Sequence, residues 1–326
     1  MTDRLRLLSI AKAATVSGAC VAVLLEQSVA AETSPPTPAG YLPHFESLIA
    51  LGVVSTTALI AWLLNHPNPK RRALGTGLAG LSCFLVVGWF GLALQTGVIE
   101  NPKPFQTPMD AAKPVLLWAQ VSAAFVGGVA LFAVAARQFS STETLILGAA
   151  NEESRYGRVS RMLHWVTAIL FVFMIPTGIY ASMIPEDVWY RTEYNVVHKT
   201  IGVILFGLVV TRVIWNAKSK RPELDSSLKT IERKLAHYAH VTLYVLMFAL
   251  PITGYLMTSL HGYPTFFFVI RIESFLPESE AYILWGLFHK YVLQYVVYLV
   301  LGAHVLGALK HQFIDKHSSA FKRMVS

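Results

Sequence analysis

Charge is scarce in this chain. Only 14% of its 326 residues are Asp, Glu, Lys or Arg, against roughly 25% in a soluble domain, so it lacks the polar surface to dissolve as a globule. Cysteine is scarcer still: Cys20 and Cys83 are the two in the sequence, and both lie in apolar runs. The absence of Cys-x-x-Cys-His excludes a thioether-linked prosthetic group, and two cysteines cannot make a disulfide framework or an iron–sulfur or zinc site. The first three long apolar runs also hold no Asp, Glu, Lys or Arg and no paired histidines, so no redox site is assigned to them.

What is abundant is apolar: 54% of the residues are hydrophobic and the mean hydropathy is +0.50. Uncharged runs of the roughly 20 residues needed to span hydrocarbon recur along the chain, which predicts an all-α, polytopic membrane protein. The net charge of +8 does not indicate nucleic-acid binding, because Lys and Arg cluster in short loops at alternate ends of the apolar runs, the positive-inside pattern.

Residues 1–31 read as a signal peptide, with an uncleaved anchor as the alternative: Arg4 and Arg6 open it, Ala13 to Leu25 is apolar, and Ser28-Val29-Ala30-Ala31 offers small residues for cleavage. Pro35, Pro36 and Pro38 mark a linker. Residues 32–150 then form a membrane extension with three spans near 47–64, 74–98 and 115–136. A second domain, 151–326, carries four more near 164–184, 198–215, 236–259 and 289–309. Lys70-Arg71-Arg72, Arg155, Arg158, Arg161, Lys218 to Arg221, and Lys322-Arg323 all fall at one end. That end is expected to be cytoplasmic, and with it the C-terminus. The loop 261–288 is expected outside.

Against this background four histidines stand out: His164, His198, His289 and His304, each in or beside an apolar span of the second domain. Polar rings at membrane depth are functional candidates. Topology places His164 inside, and His198 and His289 outside. His304 lies about 22 Å beyond His289 at about 1.5 Å per residue, which carries it back inside. Two level pairs result, His198 with His289 and His164 with His304, and each can supply two axial imidazoles to a b-type haem. Two haem b groups are therefore expected. Arg212 and Arg161, at the inner helix ends, are candidates for the haem propionates. His237 and His240 share a helix face and read as polar packing or as part of a quinone pocket.

The stretch from about 156 to 324 resembles the bacterial di-haem cytochrome b561 family. The resemblance is carried by Arg161-Met-Leu-His164-Trp165, His198-Lys-Thr-Ile-Gly202, Ala236-His237-Tyr-Ala-His240, Leu250-Pro251-Ile-Thr-Gly254 and His304-Val-Leu-Gly-Ala-Leu-Lys310-His311-Gln-Phe-Ile-Asp315. It implies haem ligation by the same four histidines, electron exchange with the quinone pool, and for some members oxidation of superoxide outside. It also implies an inner quinone site at His311 and Lys234, with His240 a further candidate and bound quinone a second ligand of the protein. Trp215 is followed by Asn216 where relatives usually have Arg. The three-span extension lies outside the family core.

The expected function is thus transfer of electrons between an external reductant and quinone, as an oxidoreductase of the respiratory chain. The alternative is a non-catalytic, haem-bearing anchor subunit of a larger respiratory or dehydrogenase complex, with partner subunits docked on the extension. A haem-free transporter is disfavoured, because the histidines occupy two levels instead of one midplane site.

Overall fold

A computed structural model describes residues 45–95, most of 122–139, 148–184 except 154, 191–220, 222, 228–315 and 322–325. The signal segment, the proline linker and the loop 100–113 lie outside these residues. Three helical stretches come from the extension: α1 (Phe45–Leu64), α2 (Pro69–Gln95) and α3 (Val126–Ala136). The second domain supplies α4 (Arg158–Met183), α5 (Arg191–Lys218) and α6 (Thr230–Leu260). A two-stranded hairpin follows, β1 (Thr265–Phe267) and β2 (Ile270–Ile272). The chain then runs through α7 (Ala281–Leu287), a π-helical turn (Phe288–Val292) and α8 (Leu293–Phe313), and ends in α9 (Lys322–Val325).

Among the described residues, five stretches are long and apolar enough to cross a membrane: Glu46–Leu64, Arg158–Ser182, Arg191–Lys218, Thr230–Leu260 and Ala281–His311. Their outward faces are hydrocarbon, with Val245, Leu299 and Leu306 all more than half exposed. Exposed apolar surface on that scale would aggregate in water and is the ordinary outside of a protein in lipid. The helices begin earlier than hydropathy places the spans, by about two turns at α4, α5 and α7. At α4 and α5 the apolar runs mark the hydrocarbon-crossing part only, and the polar first turns continue the helix into the interface. Part of the expected loop 261–288 is accordingly helix, because Ala281 to Phe288 is itself apolar and continues into the last span.

The core is shared by four helices. Leu170 and Phe171 of α4, Ile201, Leu205 and Val209 of α5, Leu246 and Met247 of α6, and Val297 of α8 are buried together. Val53 and Val54 of α1 pack against the same cluster, so the extension is joined to the bundle by side-chain packing. The extension is itself tightly packed: Thr76 Oγ1 of α2 donates to Gln138 Oε1 at 2.7 Å, and a side chain at Gly75 would meet Leu63 Cβ at 2.6 Å.

The two ends of the bundle differ. At the basic end, Asn151 Oδ1 accepts hydrogen bonds from the Gly157 N–H (2.9 Å) and the Ser160 hydroxyl (2.7 Å), while its amide donates to the Lys220 carbonyl at 2.8 Å. Trp165 Nε1 donates to the Met324 carbonyl at 2.8 Å, so α9 is drawn against α4. At the opposite end the hairpin folds over the start of α5. Lys199 Nζ donates to the Pro264 carbonyl at 2.9 Å, and the Phe268 N–H donates to Thr200 Oγ1 at 3.0 Å. Phe268 has φ 54°, a left-handed conformation that disfavours a bulky residue, and the Thr200 hydroxyl holds its backbone there.

Replacing Thr200 with Val should remove the acceptor for the Phe268 N–H at a cost of roughly 1–3 kcal/mol. Hydrogen exchange in residues 261–280 is expected to accelerate, with α6 unchanged. Unaltered exchange across the hairpin would show that Thr200 is not its latch.

Candidate functional site

His198 and His289 meet beneath the hairpin. Their ring centroids are 6.4 Å apart with the planes at 88°. Metal–imidazole bonds of about 2 Å on opposite sides of one ion put two ring centroids roughly 6 Å apart, so a single metal fits between these rings. His289 is oriented by its second nitrogen: Nδ1–H donates to the Leu250 carbonyl at 3.0 Å, with Thr253 Oγ1 at 3.2 Å. That bond fixes the tautomer and leaves Nε2 without a proton and able to ligate, an arrangement common to metal-binding histidines. The Nδ1 of His198 is buried without a hydrogen-bond partner. Burying such a nitrogen unpaired is unfavourable in an apolar protein.

The neighbouring helices approach these rings closely at two glycines. A Cβ on Gly254 of α6 would lie 2.9 Å from His289 Cε1, and one on Gly178 of α4 would lie 3.3 Å from His198 Cε1. His289 falls within the π-helical turn Phe288–Val292. Such turns re-aim side chains within a helix and concentrate at functional sites.

At the basic end a second cluster forms. His164, His240, His304 and Arg212 lie close enough for their charges to interact. His304 packs against His240 with ring centroids 5.1 Å apart. His164 accepts a hydrogen bond at Nδ1 from Arg212 Nη2 at 2.9 Å, and Arg212 Cζ stands 5.4 Å from the centroid of the Tyr244 ring. The structure therefore brings His304 to His240 and His164 to Arg212, with all four side chains in one neighbourhood. Arg161 is fully buried nearby in sequence, close enough to the buried Arg72 of α2 for the two guanidinium charges to repel. Asn216, the departure from the family pattern, donates to the Tyr244 hydroxyl at 2.6 Å.

Of the inner quinone candidates, Lys234 and His240 are exposed, and His311 is half-buried. His311 Nδ1 lies 2.6 Å from Asp315 Oδ2. Lys310 Nζ donates to Asp315 Oδ2 at 2.8 Å and to Glu232 Oε1 at 2.7 Å. The Glu232 carboxylate also caps α6, accepting from the Lys229 N–H at 3.0 Å. Three features of these sites escaped the sequence reading. The π turn and the Lys199–hairpin latch carry no sequence signal, whereas the i, i+4 spacing of His311 and Asp315 on a helix end could have exposed that pair.

Paired imidazoles inside an apolar helical bundle define a multi-pass membrane protein built to hold metal or haem. The comparisons make this specific. A family model described as prokaryotic cytochrome b561 matches residues 155–326, just over half of the chain, and the chain belongs to that family. Its members are membrane haem proteins of electron transport that bind b-type haem. The chain is 34% identical over 178 residues to cytochrome b561 homolog 2 of Escherichia coli K12, covering 54% of this chain and 93% of that one. It is 25% identical over 177 residues to cytochrome b561 homolog 1 of the same organism, with 52% and 97% covered. To a protein named probable superoxide oxidase CybB from Yersinia pestis it is 23% identical over 174 residues, with 52% and 96% covered. In each case the match spans nearly the whole relative and about half of this chain.

Replacing Gly254 with Val drives a side chain into the His289 ring and should displace it from the Leu250 carbonyl. The purified variant is expected to lose haem absorbance while inserting at wild-type levels. Retention of full haem absorbance would show that this close approach is dispensable.

Proposed function

We propose that this protein is a di-haem b-type cytochrome that carries electrons across a bacterial inner membrane, from an external reductant to quinone near the cytoplasmic face. The observation that carries the reading is the outer histidine pair, with its 6.4 Å spacing, a hydrogen bond fixing one tautomer and an orphan nitrogen on the partner ring. Haem iron held by two imidazoles changes oxidation state with no open position for oxygen.

The chain's own residues supply the rest. His198 and His289 hold the outer haem under the hairpin, which shields that end of the bundle. Lys199 and Lys290 each follow an outer histidine in sequence and place positive charge beside it, which favours an anionic one-electron donor by electrostatic attraction. Superoxide is such an anion, and the name of the Yersinia pestis relative supports that donor class. His164 and His304 hold the inner haem. Ligation through His164 Nε2 requires its Nδ1 to carry the proton, so Arg212 must release that nitrogen. The freed guanidinium can then meet a propionate, with Arg161 a second inner candidate. His240 lies against His304 at the inner end, where it lines the quinone pocket together with His311 and Lys234.

The concentration of Lys and Arg at the His311 end supports the cytoplasmic placement of that end. The packing of α1 on the bundle core favours a second reading in which the extension docks a partner subunit and the chain serves as a haem-bearing anchor. Isolated protein that reduces quinone supports the first reading, whereas a stoichiometric co-purifying dehydrogenase supports the second.

Pyridine haemochrome quantification should give two b-type haems per chain. Replacing His198 or His289 with Ala should remove one of them, and replacing His164 or His304 the other. His240→Ala is expected to keep both while weakening quinone binding. Loss of the inner haem in His240→Ala, with retention in His164→Ala, would reassign the inner pair to His240 and His304.

A further inference from the structure

The cluster at the basic end of α8 does more than hold a helix terminus. Glu232, His311 and Asp315 offer ligand atoms close enough together for one cation. Lys310 Nζ, however, bonds to both carboxylates, at 2.7 and 2.8 Å, so its ammonium already occupies the cation's place. What remains is a histidine–carboxylate dyad. Asp315 Oδ2 can only accept from His311 Nδ1, so Nδ1 carries a proton and Nε2 is the exchanging nitrogen on the opposite side of the ring. The His311 side chain is 16% exposed and that of Asp315 34%, which places the imidazole inward of a carboxylate that touches water. The hydrogen bond from Lys310 holds the Asp315 carboxyl below the usual carboxylate range, so the dyad keeps its anion at neutral pH.

The geometry points to Asp315 as a positioning residue that sets His311 as the proton donor to quinone, with Lys310 and Glu232 bracing Asp315. This inference rests on the quinone reading above. The overall step is balanced: quinone takes two electrons, from two one-electron oxidations of haem iron, and two protons to become quinol. With Nε2 first protonated from water at the membrane face, each delivery by His311 breaks that Nε2–H bond and forms an O–H bond on a quinone oxygen. Water at the membrane face then returns a proton to Nε2, while Nδ1–H stays on Asp315. Holding an imidazole in the correct tautomer by a buried or braced carboxylate is the same division of labour as in serine hydrolases, where the acid orients the base without itself taking the proton.

The test uses purified, haem-loaded full-length protein, reduced and then mixed in stopped flow with a short-chain ubiquinone analogue in H2O and D2O. Asp315→Asn is expected to lower the maximal rate of haem oxidation roughly tenfold to a hundredfold, and to raise the solvent isotope effect. The half-saturating quinone concentration and the haem content should stay near wild type. Asp315→Glu should recover most of the rate. Nitrogen-15 NMR of labelled histidine in oxidised, quinone-free protein should show the Nδ1–H tautomer of His311 in wild type and its loss in Asp315→Asn. Wild-type protein that quinone does not reoxidise would overturn the quinone reading and this inference together. With wild type active, an Asp315→Asn variant of unchanged rate and isotope effect would overturn the inference alone. So would a variant altered only in its half-saturating quinone concentration.

Discussion

The rest of the structure depends on one constraint: an imidazole nitrogen placed at membrane depth must be satisfied from within the bundle. At the outer pair that requirement organises three helices at once. The α6 backbone offers the Leu250 carbonyl to His289, the π turn in the last span turns the ring toward it, and α4 and α6 present glycines where any larger residue would block the rings. Nδ1 of His198 is buried with no hydrogen-bond partner among the described residues. The inner cluster is arranged differently, with His164 paired to Arg212 and His304 packed edge-on against His240. The outer rings therefore face each other at a spacing that suits one metal between them, whereas the inner ones contact protein partners, Arg212 and His240.

The extension gains meaning from the comparisons. Relatives of the cytochrome b561 family are matched almost end to end by half of this chain, so the four-helix domain corresponds to a whole protein in those cases. Here α1 packs on the core shared by α4, α5, α6 and α8. It covers apolar surface that would otherwise face lipid or another subunit. Because lipid is as apolar as the side chains it replaces, that docking depends on close fit instead of the hydrophobic effect, which is consistent with the tight approach of α2 to α1 at Gly75.

Much of the fold was legible because membrane helices announce themselves by composition, and the four histidines because polar rings are conspicuous in apolar runs. The level of each histidine followed from counting spans. Helix starts were displaced, since Arg158 and Arg191 open polar turns ahead of the apolar stretch and Ala281 opens an apolar turn ahead of His289. Long-range choices were not legible. Nothing in the local sequence tells that Arg212 will bond His164, 48 positions away, or that Lys310 will bridge to Glu232 across 78. Nor does it tell that His240 is the ring packed on His304. Those contacts are settled by the rotation of each helix about its axis, which packing fixes and periodicity in a nearly all-apolar segment does not reveal.

The central claim is that His198 and His289 hold one haem between nearly perpendicular imidazoles. Electron paramagnetic resonance of the oxidised His164→Ala variant, which retains the outer site alone, tests it most directly. The account predicts a low-spin ferric signal of the strongly anisotropic type produced by crossed axial imidazole planes, reflecting the 88° between the rings. A high-spin signal, or no ferric haem signal in a well-folded protein, would contradict it.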